Sequence, residues 1–300
     1  MLQARLFGAW GKGLDWPTMR DTVARSGTTA RTLAAGDGWR VLDFVCRSGP
    51  ADRPFEEQHG CSSVSAVLSG VFTYRSSHGR ALMAPASLLL GTAGTCFECG
   101  HEHSTGDRCV SFQFAPQLAE ETAADLPGVT SLGFAGVRVP PLERLVPLLA
   151  ATRDLAARPD PFRSEEAALE VLATALSFDR TVKEPPCRRC DEARVADVVR
   201  IIDEQFFEPL SIAGLARAVA LPRRRLARVF KRCMGVTPYN YVLNRRLEAA
   251  AARLRDGGGS VLQVALDVGF GDLSEFTRRF RARFGCPPAA YQSRHTRQPG

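Results

Sequence analysis

Short apolar runs broken by Gly, Pro and Ser fill the chain from Thr32 to about Phe114. They are Trp39-Arg-Val-Leu-Asp-Phe-Val45, Val64-Ser-Ala-Val-Leu68, Val71-Phe-Thr-Tyr74, Ser87-Leu-Leu-Leu90 and Val110-Ser-Phe-Gln-Phe114. Runs of this length between turn formers predict β-strands, and with the hairpin-like Tyr74-Arg-Ser-Ser-His-Gly-Arg80 they predict a small barrel or sandwich. The period then lengthens. Leu142 to Ala157 and Ser164 to Phe178 read as helices, the second with Ser164 as N-cap candidate, acidic residues in its first turn and a stripe including Leu169, Val171, Leu172 and Leu176. Such a pair fits a dimer face or an ordinary packed hairpin. Residues 1–30 show little periodicity and carry no assignment; 31–180 form a first domain, 181–192 with Pro185-Pro186 a linker, and 193–295 a helical domain.

The helical domain contains an internal repeat. Ala216-Arg-Ala-Val-Ala-Leu221 recurs at an offset of 49 as Ala265-Leu-Asp-Val-Gly-Phe270. At an offset of 50, Leu226-Ala-Arg-Val-Phe-Lys231 returns as Phe276-Thr-Arg-Arg-Phe-Arg281, and Gly235-Val-Thr-Pro238 as Gly285-Cys-Pro-Pro288. Each copy reads as two short helices about a tight turn. Ser211 caps Ile212 to Val219 before Pro222 opens Arg223 to Cys233; Ser260 caps Val261 to Val268 before Asp272 opens Leu273 to Phe284. Ile212, Leu215, Val219, Leu226 and Phe230 in one copy, and Val264, Val268, Phe276, Phe280 and Phe284 in the other, have core spacing. Ala216 and Ala265 are small enough for the helices to cross closely. Pro238 to Arg255 is an apolar-periodic helix between the copies, a strut of ~27 Å at ~1.5 Å per residue.

Charge adds direction to this plan. The net +7 is uneven: residues 1–190 hold 20 basic and 21 acidic side chains, residues 191–300 hold 19 and 11. A neutral front and a basic back fit a back half that meets a polyanion, nucleic acid first and a membrane surface second. No run approaches the ~18 apolar residues of a membrane span, and residues 1–20 lack the apolar stretch of a secretory signal. A cytoplasmic protein is expected, in which nine cysteines form no disulfide framework and answer to burial, metal or redox chemistry. The polar faces of the second helices carry the candidate double-stranded DNA contacts: Arg223, Arg224, Arg225 and Arg228 in one, Ser274, Thr277, Arg278 and Arg281 in the other, with Glu275 beside them.

The run Gly269-Phe-Gly-Asp-Leu-Ser-Glu-Phe276, continued by Arg279-Phe-Arg-Ala-Arg-Phe-Gly-Cys-Pro-Pro288 and Tyr291, resembles the signature of the AraC/XylS-type transcription regulators. The resemblance spans about Ala193 to Gln292. It implies base-reading positions at Arg224, Arg228, Ser274, Thr277 and Arg278, whereas Ala227 and Leu273 could offer only an apolar contact. It also implies a cupin-like sensor barrel in front, giving an α+β protein: an N-terminal cupin-like β-barrel with flanking helices and a C-terminal all-α double helix-turn-helix joined by a linker helix. Gln58-His-Gly-Cys61, Val67-Leu-Ser-Gly-Val-Phe72 and Met83-Ala-Pro-Ala-Ser-Leu-Leu-Leu90 are similar to that barrel layout, with His59, Cys61 and Cys96 where metal-binding cupins carry ligands.

The segment Cys96-Phe-Glu-Cys-Gly-His-Glu-His-Ser-Thr-Gly-Asp-Arg-Cys109 gathers three Cys and two His, and Cys187-Arg-Arg-Cys190 repeats the Cys-x-x-Cys spacing. Cys96, Cys99 and Cys109 are candidate zinc ligands, with His59, Cys61, His101, His103, Cys187 and Cys190 as further donors. A thiol switch or inert cysteines fit the same spacing; Cys46, Cys233 and Cys286 read as packing residues. Three functions follow. The first is a non-enzymatic DNA-binding regulator, controlled by a ligand, metal or redox event in the barrel, partnered by a small-molecule effector, a second copy and, as an activator, RNA polymerase. The second is a cupin metalloprotein or enzyme with an accessory DNA-binding domain, resting on His101-Glu-His103 and Asp107. The third is an alkyl-transfer repair protein, whose cysteine spacing this chain does not match.

Overall fold

The computed structural model describes residues 27–54, 56–129, 133–134, 136–178 and 187–296; most of the segment 1–30 and the Pro185-Pro186 part of the expected linker lie outside them. The strands are β1 (Thr28–Gly36), β2 (Trp39–Cys46), β3 (Glu56–Gln58), β4 (Ser62–Ser69), β5 (Phe72–Ser76), β6 (Gly79–Met83), β7 (Leu88–Gly91), β8 (Cys96–Gly100), β9 (Asp107–Phe114) and β10 (Arg138–Val139). They form a six-stranded sheet in the order β1-β2-β9-β4-β7-β10 and a four-stranded sheet in the order β3-β8-β5-β6. Every described pairing is antiparallel. Among the described residues the expected barrel is thus two packed sheets, not one closed ring.

Strand alternation decides which side chains meet. On β9, Val110, Phe112 and Phe114 are fully buried on the outer face of the six-stranded sheet, under helices. Cys109 points the other way and packs with Val67, Phe72, Tyr74 and Met83 between the sheets. The covering helices are α1 (Pro116–Ala124), α2 (Val146–Ala157), entered through a 3-10 turn at Glu143–Leu145, and α3 (Pro161–Leu176). Ser164 is not the cap of α3: it is fully buried, and Asp160 accepts the Arg163 amide at 2.8 Å instead. Pro161, with no amide to satisfy, suits the first turn and starts the helix earlier than the Ser164 signal predicts.

The C-terminal half is α4 (Arg189–Gln205), α5 (Ile212–Ala218), α6 (Arg223–Met234), α7 (Pro238–Arg255), α8 (Val261–Asp267), α9 (Leu273–Phe284) and α10 (Pro288–Thr296). The predicted caps are in place. Ser211 accepts from the Gly214 amide at 3.0 Å, Ser260 from Gln263 at 3.2 Å and Asp272 from Glu275 at 2.7 Å. Helix α4 begins inside the stretch expected as linker, where Asp191 and Glu192 favour a first turn through the helix dipole.

Helix α7 belongs to two cores. Its first turns give Tyr241 and Val242 to a cluster with Val195, Val199, Leu226 and Phe230; its later turns give Leu247, Ala250 and Leu254 to one with Val264, Phe276 and Phe280. Both clusters reach the front half. Val71, Leu82 and Ala84 enter the first, and Val146 and Ala150 of α2 enter the second. Ion pairs reinforce these contacts. Buried Glu248 meets Arg245 at 2.7 Å and Arg153 of α2 at 3.3 Å, and Arg80 of β6 meets buried Glu192 of α4 at 2.5 Å. Burying a carboxylate this deep is costly unless a guanidinium group faces it, so the packing of the two halves depends on those arginines.

Candidate nucleic-acid interface and the cysteine segment

The repeat offsets place α6 and α9 at the same position in each unit, and their caps fix which face is free. Leu226, Val229, Phe230, Cys233 and Met234 bury one side of α6; Arg223, Arg224, Arg225 and Arg228 lie exposed on the rest. On α9, Phe276 and Phe280 are buried, Ser274, Arg278 and Arg281 are exposed and Thr277 is half-buried. All eight residues proposed from sequence therefore stand on or beside the solvent side of a second helix. Gly235 and Gly285, with φ of +74° and +72°, end the two helices in the left-handed conformation and keep the following chain from covering that side.

The two faces differ in chemistry. Arg225, Arg228 and Arg232 of α6 join Arg188 around a groove of about 310 Å³ whose one acidic lining residue is Asp191, 3.7 Å from Arg225. Clustered guanidinium groups of this kind suit phosphate oxygens. On α9, Arg279, which is not among the candidate contacts, bonds Glu275 at 2.9 Å and the Tyr239 hydroxyl at 3.0 Å and lies over the Tyr239 ring. It anchors α9 to α7 and occupies Glu275.

The cysteine segment is rearranged relative to the sequence expectation. Cys96 and Cys99 both lie on β8, and a separation of three in an extended strand sends their side chains to opposite faces. Cys96 is exposed and paired in register with Gln58, while Cys99 packs beside Phe97 between the sheets. The Cys-x-x-Cys spacing cannot clamp one ion there. Cys187 is joined to Cys233 of α6 in a disulfide and Cys190 is exposed on α4, so the second pair is not assembled either. Cys233, read as packing, is both buried and bonded. His59 donates or accepts with the Tyr74 hydroxyl at 2.8 Å and stacks on Phe97, and burial lowers its pKa to about 4. Cys61 is buried apart from these groups, its thiol pushed up to about 11.

A different set does converge. Cys46, His101 and Asp107 bring one donor atom each to within 4.8 Å of one another. The His101 ring nitrogen Nε2 bonds Asp107 Oδ2 at 2.7 Å, and the Cys109 thiol donates to Asp107 Oδ1 at 3.4 Å. Burial opposes charge on His101, but its bonds to Asp107 and Cys46 prevail and raise it to about 9. Burial likewise raises the Cys46 thiol, yet bonds from His101 and from the Ser48 amide bring it below its ordinary value. Cys99 and Cys109 are held well above theirs by burial, then by the charge of Asp107. Cys46 is distant in sequence and enters through strand register alone, opposite Asp107 in the β2–β9 pairing.

Residues 215–294 match a helix-turn-helix domain family. The chain is 33% identical over 130 residues to the XylDLEGF operon transcriptional activator 2 of Pseudomonas putida, covering 42% of this chain and 78% of that protein. It is 36% identical over 96 residues to the HTH-type transcriptional regulator CdhR of Pseudomonas aeruginosa, covering 32% of this chain but only 29% of that one. A solved AraC-type transcriptional regulator from Chromobacterium violaceum aligns at 29% identity over 38% of this chain and all of its own, with a TM-score of 0.34. No helix of the described residues is long and apolar enough to cross a membrane. With a relative 33% identical matched over 78% of its length, and a helix-turn-helix family matched at 215–294, the chain belongs to the AraC/XylS family of DNA-binding transcription regulators.

Proposed function

We propose that one chain reads two segments of a double-stranded operator, with α6 and α9 each entering a major groove. The observation that carries this reading is the exposed polar face repeated on the two second helices, both seated on α7. Arg228, Ser274, Thr277 and Arg278 contact base edges, and Arg223, Arg224, Arg225 and Arg281 contact phosphate or guanine according to the site. The protein acts as a non-catalytic cytoplasmic regulator. Activation through RNA polymerase is supported by the activator named among its relatives, and control is assigned to the front half, whose strands β5 and β6 share a core with the first unit. Phe162 and Leu169, exposed on α3, offer an apolar patch for a second copy.

Selection of random duplex DNA by the purified chain tests the reading. Enrichment of two half-sites about one helical turn apart, ~10 base pairs, is expected. Enrichment of a single half-site would restrict reading to one unit, and no enrichment at any salt would remove the regulator assignment.

A further inference from the structure

We propose that Cys46, His101 and Asp107 form a three-ligand site for a zinc-class transition-metal ion, in place of the Cys-x-x-Cys sites that the sequence brings to mind. The residues come from both sheets. Register sets Cys46 of β2 against Asp107 of β9 on the inner face of the six-stranded sheet, and His101 follows directly on β8 of the other sheet. Their donor atoms span no more than 4.8 Å pairwise. Ligands about one zinc stand at ~2.0–2.3 Å from it, hence ~3.3–3.8 Å apart in a tetrahedron, so sub-ångström to ångström side-chain shifts close the site. One sulfur, one nitrogen and one oxygen donor form a borderline-soft set that suits zinc and excludes magnesium or calcium.

The surroundings have the features of an outer shell. Cys109 donates to the second oxygen of Asp107 at 3.4 Å, the Ser48 amide donates to Cys46 Sγ at 3.5 Å, and the Phe72 ring stacks on His101. Such contacts hold ligands in orientation. The loop after His101 is laid tightly on β2: Gly106 has φ +73°, and a Cβ there would sit 2.7 Å from the Cys46 carbonyl oxygen.

The site also has a route to the DNA-binding half, and this part rests on the regulatory reading above. The loop from His101 to Asp107 carries Ser104, whose hydroxyl donates to the Val71 carbonyl at 2.6 Å and accepts the Val71 amide at 3.1 Å. Val71 lies in one core with Val195, Leu226 and Tyr241. Metal binding that fixes the loop therefore biases how the first helix-turn-helix unit is seated.

The test is titration of the reduced, chelator-stripped full chain with cobalt(II), followed by displacement with zinc. One cobalt per chain is expected, with near-ultraviolet thiolate charge-transfer absorption. Cys46→Ser should abolish that absorption, because it removes the single sulfur ligand, whereas Cys96→Ser and Cys99→Ser should leave it intact. Cys109→Ser should keep the absorption and weaken zinc binding by no more than about 10–100-fold, the effect of an outer-shell change. Asp107→Asn covers the case in which Cys46→Ser does not fold: it should retain the thiolate absorption and lose at least tenfold in affinity. Absence of charge transfer in the parent chain, or its loss in Cys96→Ser or Cys99→Ser while Cys46→Ser retains it, would overturn the site. Operator binding measured on the same samples separates the two claims. Metal binding with DNA affinity unchanged by zinc overturns the coupling alone, and metal binding without any sequence preference overturns the regulator reading while the site stands.

Discussion

The two helix-turn-helix units share a plan but not a way of being held. The second builds most of its own core from rings: Phe270, Phe276, Phe280, Phe284 and Tyr291 pack against one another, mostly tilted or edge-on, with centroids 4.2–5.6 Å apart. The first has a mostly aliphatic core around the Phe230–Tyr241 ring pair, which it completes with Val71, Leu82 and Ala84 of the front half, and it is tied further by Cys187–Cys233 and Arg80–Glu192. Their turns differ as well. The second unit passes through Gly269 at φ +92°, while the first uses Ala220 at φ +51°, a conformation in which a Cβ is strained. A duplicated motif can thus be held in two ways, one copy completed by strands of the front half and a disulfide, the other by its own rings together with Val146 and Ala150 of α2.

Four experiments would break or sharpen that contrast. The largest effect is expected from Phe280→Ala, which empties the middle of the ring cluster; a loss of ~3–5 kcal/mol in urea unfolding is expected, with the second half-site footprint lost first. If both footprints vanish together, the units are not independent. Cys187→Ser should lower stability by ~2–4 kcal/mol under oxidising conditions, acting through the first unit, and reductant should erase the difference from the parent chain. Arg228→Ala and Arg278→Ala should each weaken operator binding by ~1–3 kcal/mol and relax base preference at one half-site; a uniform loss on all sequences with a shallower salt slope would make the residue a phosphate contact. Smallest is the turn exchange. Ala220→Gly should raise stability by up to ~1 kcal/mol by relieving the left-handed backbone. Gly269→Ala should lower it by ~1 kcal/mol or more, because the added Cβ would stand 2.6 Å from the Phe207 carbonyl oxygen. Equal responses to the two changes would remove the difference between the turns.

Legibility followed how local the signal was. Helix α7 runs from Pro238 to Arg255 as its apolar period predicts, and Ser211, Ser260 and Asp272 cap as expected, because a cap is a bond between residues three apart. Helix α4 was hidden behind a charged stretch that resembles a linker, and β8 behind Cys-Phe-Glu-Cys-Gly, whose polarity conceals a strand with one face inside the sandwich. The exposed polar faces of α6 and α9 could be found because the repeat aligns the two second helices. The convergence of Cys46 on His101 and Asp107 could not, since it depends on pairing between strands far apart in sequence. The Cys-x-x-Cys spacing misled for a geometric reason: it favours one ion on a turn or helix and divides across the faces of a strand.

Helix α7 carries a consequence for the operator itself. Because its 18 residues contribute to both units' cores, the phase between the two reading heads is written into a single covalent rod and cannot be reset by sliding one subunit against another. A half-turn of DNA inserted between the half-sites, ~5 base pairs, would turn one of them to the far side of the duplex. If both units read DNA as proposed, promoters that drift in length there would fall silent to this protein, however well each half-site is preserved.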